Sequence, residues 1–427
     1  MKFSQYNLVI GMPYGKMVYN LKTHKGFKLK DVLVEEMEHF NSLFNGDTPL
    51  LPEDNMVKEL YKRGFVVDDD RDEFQEVQDE VNEITTRSKS TQNIILHVTE
   101  NCNFSCEYCF KKSHPQNFSD ENWDNLLNYF EKVVEDENLY KRVRLTFYGG
   151  EPLLRSQKII DFMKKANKVF EKNKEKSIDY NMITNGYLLS KDIYHQLVDL
   201  GLGFFMITLD GFAEQHNKSR PRVDGEGTWD KIVENLKYIN TVEDEAVFLI
   251  RSNCNNKNIE IMEEFKAWVK STFNPKKFSI DIVPVTKYSE MVEDSLLMDC
   301  FSEEFLKVRH PQNYTKEEIF KFFTFMGLAC KYAYGNFITI SSLGKVFMCE
   351  ESDEDDVYLA DLVKEGIIYK QDLNKWLNRL VDDKCRKCIL FPTCTARHCL
   401  RCKKCELAYE GLAKAIEKIK KHGIDLV

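Results

Sequence analysis

Between Asn93 and Val285 the sequence repeats one unit six times: a short apolar run of strand type, then a segment long enough for a helix. The runs are NIILHVT (93–99), RVRLTFYGG (142–150), SIDYNMITNG (177–186), GFFMITLDG (203–211), AVFLIRSN (246–253) and FSIDIVPV (278–285). Strands alternating with helices build parallel sheets, because a parallel neighbour is reached only through a crossover. Six units predict an α/β protein with a partial (β/α)6 TIM-type barrel, not the closed eight-stranded form. Chemistry in such architecture gathers where strands end. TENCNFSCEYCFKK (Thr99 to Lys112) follows the first strand, GGEP the second, TNG the third and LDG the fourth, while Arg251 and Asn253 close the fifth. One Asn-Gly or Gly-Gly alone is ordinary turn chemistry. Five unusual strand ends around one mouth define a site.

Around that barrel the chain has room for more, since 427 residues with 43% hydrophobic content exceed one ordinary domain. Residues 1–90 read as a separate winged-helix-like unit. It has strand-like KMVYNL and GFKLK, helical patterns over 31–44 and 53–63, and strand-like GFVV. Its 12 Lys and Arg against 17 Asp and Glu make DNA a poor partner, and the whole-chain charge of −9 argues against nucleic acid generally. In DDDRDEFQEVQDEVNEI, Phe74, Val77, Val81 and Ile84 recur at helical spacing, which predicts a connecting helix with one solvated face. No basic segment leads into an apolar run, and no stretch of eighteen apolar residues occurs, so a cytoplasmic protein without membrane contact is expected.

In a reducing cytosol thirteen cysteines are poor candidates for disulfides, and their clustering points to metal or cluster ligation. Cys102, Cys106 and Cys109 can bind three irons of a 4Fe-4S cluster and leave the fourth without a protein ligand. This CxxxCxxC spacing resembles the signature of radical S-adenosylmethionine (SAM) enzymes. The resemblance implies that the open iron chelates SAM, and that an electron from the cluster splits the sulfonium into methionine and a 5′-deoxyadenosyl radical. It also implies that Gly149, Gly150 and Glu151 receive the SAM amino group, that Thr184, Asn185 and Asp210 lie near ribose or substrate, and that Arg251 pairs with the SAM carboxylate beside Asn253. A zinc knuckle lacking its fourth ligand would leave the other strand-end motifs unexplained.

A second set comprises Cys330, Cys349 five residues after Gly344, and Cys385, Cys388, Cys394, Cys399, Cys402 and Cys405. Eight thiols suffice for two four-ligand sites. The region resembles the SPASM extension of radical SAM enzymes that modify peptides, which carries two auxiliary 4Fe-4S clusters and would bring the total to three. It departs from the commoner pattern: four residues, not three, separate Cys394 from Cys399, and no cysteine follows Cys330 closely. By the resemblance, Cys330, Cys349 and Cys399 serve the inner cluster, and Cys385, Cys388 and Cys394 the outer one with Cys402 or Cys405. Zinc remains the alternative for the CxxC pairs and predicts a colourless tail. Cys254 and Cys300 fit neither set and read as buried thiols.

The resemblance divides the chain into a leader-recognition element (1–90), a radical SAM barrel (91–290) and a SPASM domain (291–427). It implies a maturase of ribosomally made peptides. A precursor peptide would dock its leader as an added strand, and a flavodoxin or ferredoxin would supply electrons. Hydrogen abstraction from the core peptide would then close a thioether, carbon–carbon or similar crosslink. Formylglycine formation, as in anaerobic sulfatase maturases, is the second reading within the family; a non-catalytic zinc scaffold is the reading outside it. Glu350 directly follows Cys349, where sulfatase maturases carry an Asp, and is the expected general base. The competing reading is a solvated acidic turn, since CEESDEDD continues with five further carboxylates, Glu351, Asp353, Glu354, Asp355 and Asp356.

Overall fold

The computed structural model describes residues 1–12, 15–30, 34–87, 90–109, 111, 116–285, 294–296, 308, 336–348, 358–370, 382–394, 409, 412–413, 416–417 and 419–421. They fall into two compact units. The first joins Met1–Thr86 with the described part of Asn374–Val427, and the second holds the described parts of Arg87–Pro311 and Gly335–Leu373.

In the first unit β1 (Lys2–Phe3) pairs with β5 (Val66–Val67), and β2 (Asn7–Met12), β3 (Gly15–Asn20) and β4 (Lys25–Lys30) form an antiparallel meander. Between them run α1 (Val34–Asn45) and α2 (Asn55–Arg63), followed by α3 (Glu73–Arg87). Asp54 caps α2, its Oδ1 accepting from Met56 N at 2.7 Å, and Gly64 ends it in the left-handed region at φ 82°. Because side chains alternate along a strand, the meander is buried on both faces. Val18 and Leu29 join a core with Phe40, Leu43, Val57, Leu60, Phe65 and Val66. Ile10, Met12, Met17 and Tyr19 join a second core with Phe74, Val77 and Val81 of α3. The strands and helices expected here are present; β1 and β2 are additions that the sequence pattern did not announce.

In the second unit all six expected barrel strands form and lie parallel: β6 (Thr91–Thr99), β7 (Arg142–Gly149), β8 (Ser177–Thr184), β9 (Leu202–Thr208), β10 (Val247–Cys254) and β11 (Phe278–Pro284). Their crossovers carry α4 (Asp120–Glu135), α5 (Ser156–Phe170), α6 (Lys191–Asp199), α7 (Ala213–Ser219), α8 (Trp229–Ile239) and α9 (Met262–Thr272). On β10, Phe248, Ile250, Ser252 and Cys254 are buried on one face, while Leu249, Arg251 and Asn253 are half-buried on the other. Phe248 stacks between Phe205 and Phe278, with ring centres at 4.8 and 4.9 Å. Beyond β6 the sheet continues with a parallel β12 (Phe337–Ile340), then antiparallel β13 (Lys345–Phe347), β14 (Ala360–Val363) and β15 (Gly366–Tyr369), giving ten strands. Among the described residues no helix is long and apolar enough to cross a membrane.

Candidate functional site

The strand ends converge on the cysteine loop. Where β6 stops, Thr99 Oγ1 donates to Asn117 Oδ1 at 2.7 Å and accepts from Asn101 N at 3.1 Å, which fixes the start of the loop. The end of β7 presses against it: Gly150 N donates to Thr99 O at 2.7 Å and Glu151 N to Asn101 O at 2.8 Å. At Gly149, with φ 131°, a Cβ would meet Thr99 O at 2.2 Å; at Gly150 it would meet Asn101 O at the same distance. Neither position admits another residue, because backbone and not a flexible side chain would have to give. Gly150→Ala is expected to cost about 2 kcal/mol or more, read as a shifted urea midpoint at unchanged slope.

Glu151, only 1% exposed, spends both oxygens within the fold. Oε1 accepts from Leu153 N at 3.0 Å and Thr184 Oγ1 at 2.6 Å, and Oε2 accepts from Asn185 N at 2.8 Å. Burial raises its pKa, and these three hydrogen bonds pull against that rise. Asn185 Nδ2 in turn donates to Asn103 Oδ1 at 2.8 Å. The second and third strand ends are thereby tied to the cysteine loop, and Glu151 braces the site.

The fourth and fifth strand ends form a second knot. Buried Asp210 accepts from Asn253 N at 2.7 Å through Oδ1 and from the Tyr108 hydroxyl through Oδ2. The Tyr108 oxygen accepts from Arg220 Nη1 at 2.6 Å and Asn253 Nδ2 at 2.9 Å. Below it, His216 Nδ1 accepts from Asp210 N at 3.2 Å. Burial pushes the Asp210 carboxyl up, and the Arg220 cation is the first influence opposing this. Burial likewise pushes the Cys106 thiol up to about 12, with Arg220 again the opposing charge. A thiol bound to a metal gives up its proton outright, so a cluster overrides that preference.

Most of the residues singled out in the sequence thus meet: Cys102, Cys106, Cys109, Gly149, Gly150, Glu151, Thr184, Asn185, Asp210 and Asn253. Cys102 and Cys109 are exposed, Cys106 is half-buried, and all three are free thiols. Arg251 stands on the half-buried face of β10, and its carbonyl accepts from Leu209 N at 2.9 Å. The cation knitted into the site is instead Arg220, which sequence reasoning passed over together with Tyr108 and His216. Tyr108 was within view, one residue before Cys109; Arg220 follows α7 in no motif. Cys254 is buried, as expected. Cys300, Cys330, Cys349, Glu350, Cys399, Cys402 and Cys405 lie outside the described residues, and of Cys394 only the backbone is described.

The residues present fit a cluster and its ligand. Arg220 is 8% exposed, and its Nε has no hydrogen-bond partner among the described residues, so a buried cation with a spare donor faces the thiols. Among the described residues no three His, Cys, Asp or Glu side chains converge closely enough for one mononuclear ion. A 4Fe-4S cluster makes no such demand, because each iron takes its own thiolate.

Residues 96–249 match the Radical SAM superfamily. The chain therefore carries a radical SAM domain, a SAM-binding iron–sulfur fold, and is an enzyme of radical chemistry. It is similar to the radical SAM cyclopropyl synthase TigE of Paramaledivibacter caminithermalis, 23% identical over 80% of this chain and 75% of TigE. It is also similar to the cysteine-type anaerobic sulfatase-maturating enzyme of Clostridium novyi, 25% identical over 72% of this chain and 87% of that enzyme. Among solved structures the fold resembles anSMEcpe with bound AdoMet and Cp18Cys peptide, at TM-score 0.58 and 18% identity over 77% of this chain and 96% of the other. It resembles Streptococcus suis SuiB bound to precursor peptide SuiA at TM-score 0.50 and 13% identity, over 94% of this chain and 95% of SuiB.

Proposed function

We propose that this protein is a maturase of ribosomally made peptides, with a winged-helix-like leader-recognition domain (1–90), the radical SAM barrel (91–290) and a SPASM domain (291–427). The observation that carries this reading is the extent of the likeness. The fold shared with SuiB spans 94% of the chain, against 77% for anSMEcpe, and the chain holds an N-terminal unit besides its barrel. The leader docks as an added strand on the β2–β3–β4 meander, where backbone hydrogen bonds supply affinity, and the core peptide reacts in the barrel. Bound SAM and a reduced cluster supply a 5′-deoxyadenosyl radical. Cys102, Cys106 and Cys109 hold that cluster, Arg220 offsets the thiolate charge, and the Gly149–Glu151 turn braces the loop beside SAM. Thr184, Asn185 and Asp210 line the ribose side, and Arg251 with Asn253 takes the SAM carboxylate. The tail cysteines hold two auxiliary clusters, Glu350 takes the proton released from the substrate, and a flavodoxin or ferredoxin supplies the electrons.

The test uses reconstituted full-length enzyme, SAM, a one-electron reductant and the short peptide encoded beside its gene. A crosslink is expected to appear by mass spectrometry as loss of two hydrogens with all sulfur retained. One hydrogen leaves as 5′-deoxyadenosine; the second leaves as a proton to Glu350 and an electron to an auxiliary cluster. Exchange of a cysteine sulfur for oxygen would instead establish formylglycine formation, to which the Clostridium novyi relative gives equal support. Product formation in which Glu350→Gln matches the parent would remove that residue from the scheme.

A further inference from the structure

The CxxC pair Cys385 and Cys388 does not stand in a free tail. Asp382 Oδ1 accepts from Lys384 N at 2.9 Å and Cys385 N at 3.1 Å, and Cys388 N donates to Cys385 O at 3.1 Å, which fixes one tight turn. This turn rests on the N-terminal domain. The Phe391 ring lies 4.4 Å from that of Phe74, the Arg386 guanidinium sits 4.7 Å over the same Phe74 ring, and Arg386 Nη1 donates to Asp72 Oδ2 at 2.9 Å. Leu390, Phe391, Leu412 and Ile419 share a core with Ile10, Met17 and Tyr19, and both cysteines pack against it.

Two hydroxyls belong to this neighbourhood. Tyr409 Oη lies 3.3 Å from Cys388 Sγ. Tyr6 has no exposed surface, and its hydroxyl finds no hydrogen-bond partner among the described residues. Burial raises the Tyr6 phenol; the Gln5 side chain beside it works against the rise, and Glu73, Asp72 and, least, Cys388 add to it. A buried hydroxyl left unsatisfied costs about 1–3 kcal/mol, so such a group in a native core calls for an acceptor that completes the site.

We propose that the N-terminal domain is half of an auxiliary iron–sulfur site, in which the Tyr6 hydroxyl donates a hydrogen bond to a sulfur of the cluster held by Cys385 and Cys388. This rests on the reading of the tail as an iron–sulfur segment. Tyr6 is a positioning residue: hydrogen bonds to sulfur favour the more negative, reduced cluster and so raise its potential. The domain proposed to dock the leader and the turn that ligates the cluster are then parts of one packed core.

The test starts from full-length protein with Cys102, Cys106 and Cys109 replaced by Ala, so that only tail iron remains. After reconstitution this background must hold iron and sulfide; a protein without either overturns both the iron–sulfur reading of the tail and the present inference. In it, Tyr6→Phe is expected to keep the iron count and to lower the reduced-to-oxidised ratio of one cluster, followed by electron paramagnetic resonance at fixed poise, by about threefold or more. Thermal melting supplies a sign test. Without iron, Tyr6→Phe removes an orphaned hydroxyl and melts at or above the parent; with iron it loses a hydrogen bond and melts below it. Tyr19→Phe, in the same core with its hydroxyl directed to His24 Nδ1 at 3.4 Å, serves as the control and leaves the ratio unmoved. Iron present, with an unchanged ratio and equal melting shifts in both forms, would sink the role of Tyr6 and leave the iron–sulfur tail standing.

Discussion

A protein in which alanine replaces Cys102, Cys106 and Cys109 is expected to fold, to lack one 4Fe-4S cluster, and to release 5′-deoxyadenosine no faster than an enzyme-free control. The fold survives because those thiols contribute little to packing: two are exposed and the third half-buried. Their loop is held by other groups. Ser105 N donates to Pro221 O at 2.9 Å, Glu107 N to Ser219 O at 3.0 Å, and Asn103 takes the Asn185 amide. Activity does not survive, because the remaining residues around the mouth are oxygen and nitrogen groups with no means of delivering an electron to a sulfonium. Chromatography of the nucleoside products with parallel iron analysis checks both halves. Cleavage at the parent's rate by the soluble triple variant would show that the loop is not the SAM site.

The six-stranded parallel sheet was legible because each of its strands is bounded by turns and rich in Val, Ile, Phe and Tyr, and because helices fill the intervals. The site was legible for a related reason: a parallel sheet delivers the residues after successive strands to one end. β12 to β15 were not legible. They are three or four residues long, too short for alternation to register, and β12 joins β6 across more than two hundred residues of sequence. β2 was missed because NLVIGM is half-buried at Asn7, Leu8 and Val9 and carries Gly11, so its pattern fits no single exposed face. The most consequential omission was Arg220. Its position follows from three dimensions alone: Tyr108 from the cysteine loop, Asp210 just after β9 and Asn253 on β10 meet only once the sheet has assembled. Motif reading therefore favoured Arg251, which stands two residues before Asn253 but makes no comparable side-chain contact among the described residues.

The same buried knot predicts a pH-dependent cost. Arg220→Met preserves length and apolar stem but removes the cation that faces Asp210 and Cys106. Breaking a buried charge pair by removing one partner costs about 3 kcal/mol, so the apo-protein's urea midpoint should fall clearly at neutral pH. The cost should shrink in acid. In the parent, burial already raises the Asp210 carboxyl above its ordinary value, and Arg220 restrains that rise. Without Arg220 the carboxyl rises further. A carboxyl whose folded-state pKa is raised contributes stability below its unfolded value and loses it as pH climbs through the folded one. The variant therefore goes on losing this contribution at pH values where the parent's carboxyl is already ionised, above the ordinary carboxylate range, and the gap between their stabilities widens as pH rises. Deoxyadenosine release by the reconstituted variant should fall about 10²-fold, as expected on removing one preorganised charge from a reacting centre. Arg220→Lys separates charge from shape. It should recover much of the stability, yet little of the rate, because an ammonium cannot hold the Tyr108 oxygen and still present a second donor from the same rigid plane. A stability gap between parent and Arg220→Met that stays constant across this pH range would mean that Asp210 does not sense the guanidinium. Full deoxyadenosine release by the methionine variant would mean that the cation braces the fold alone.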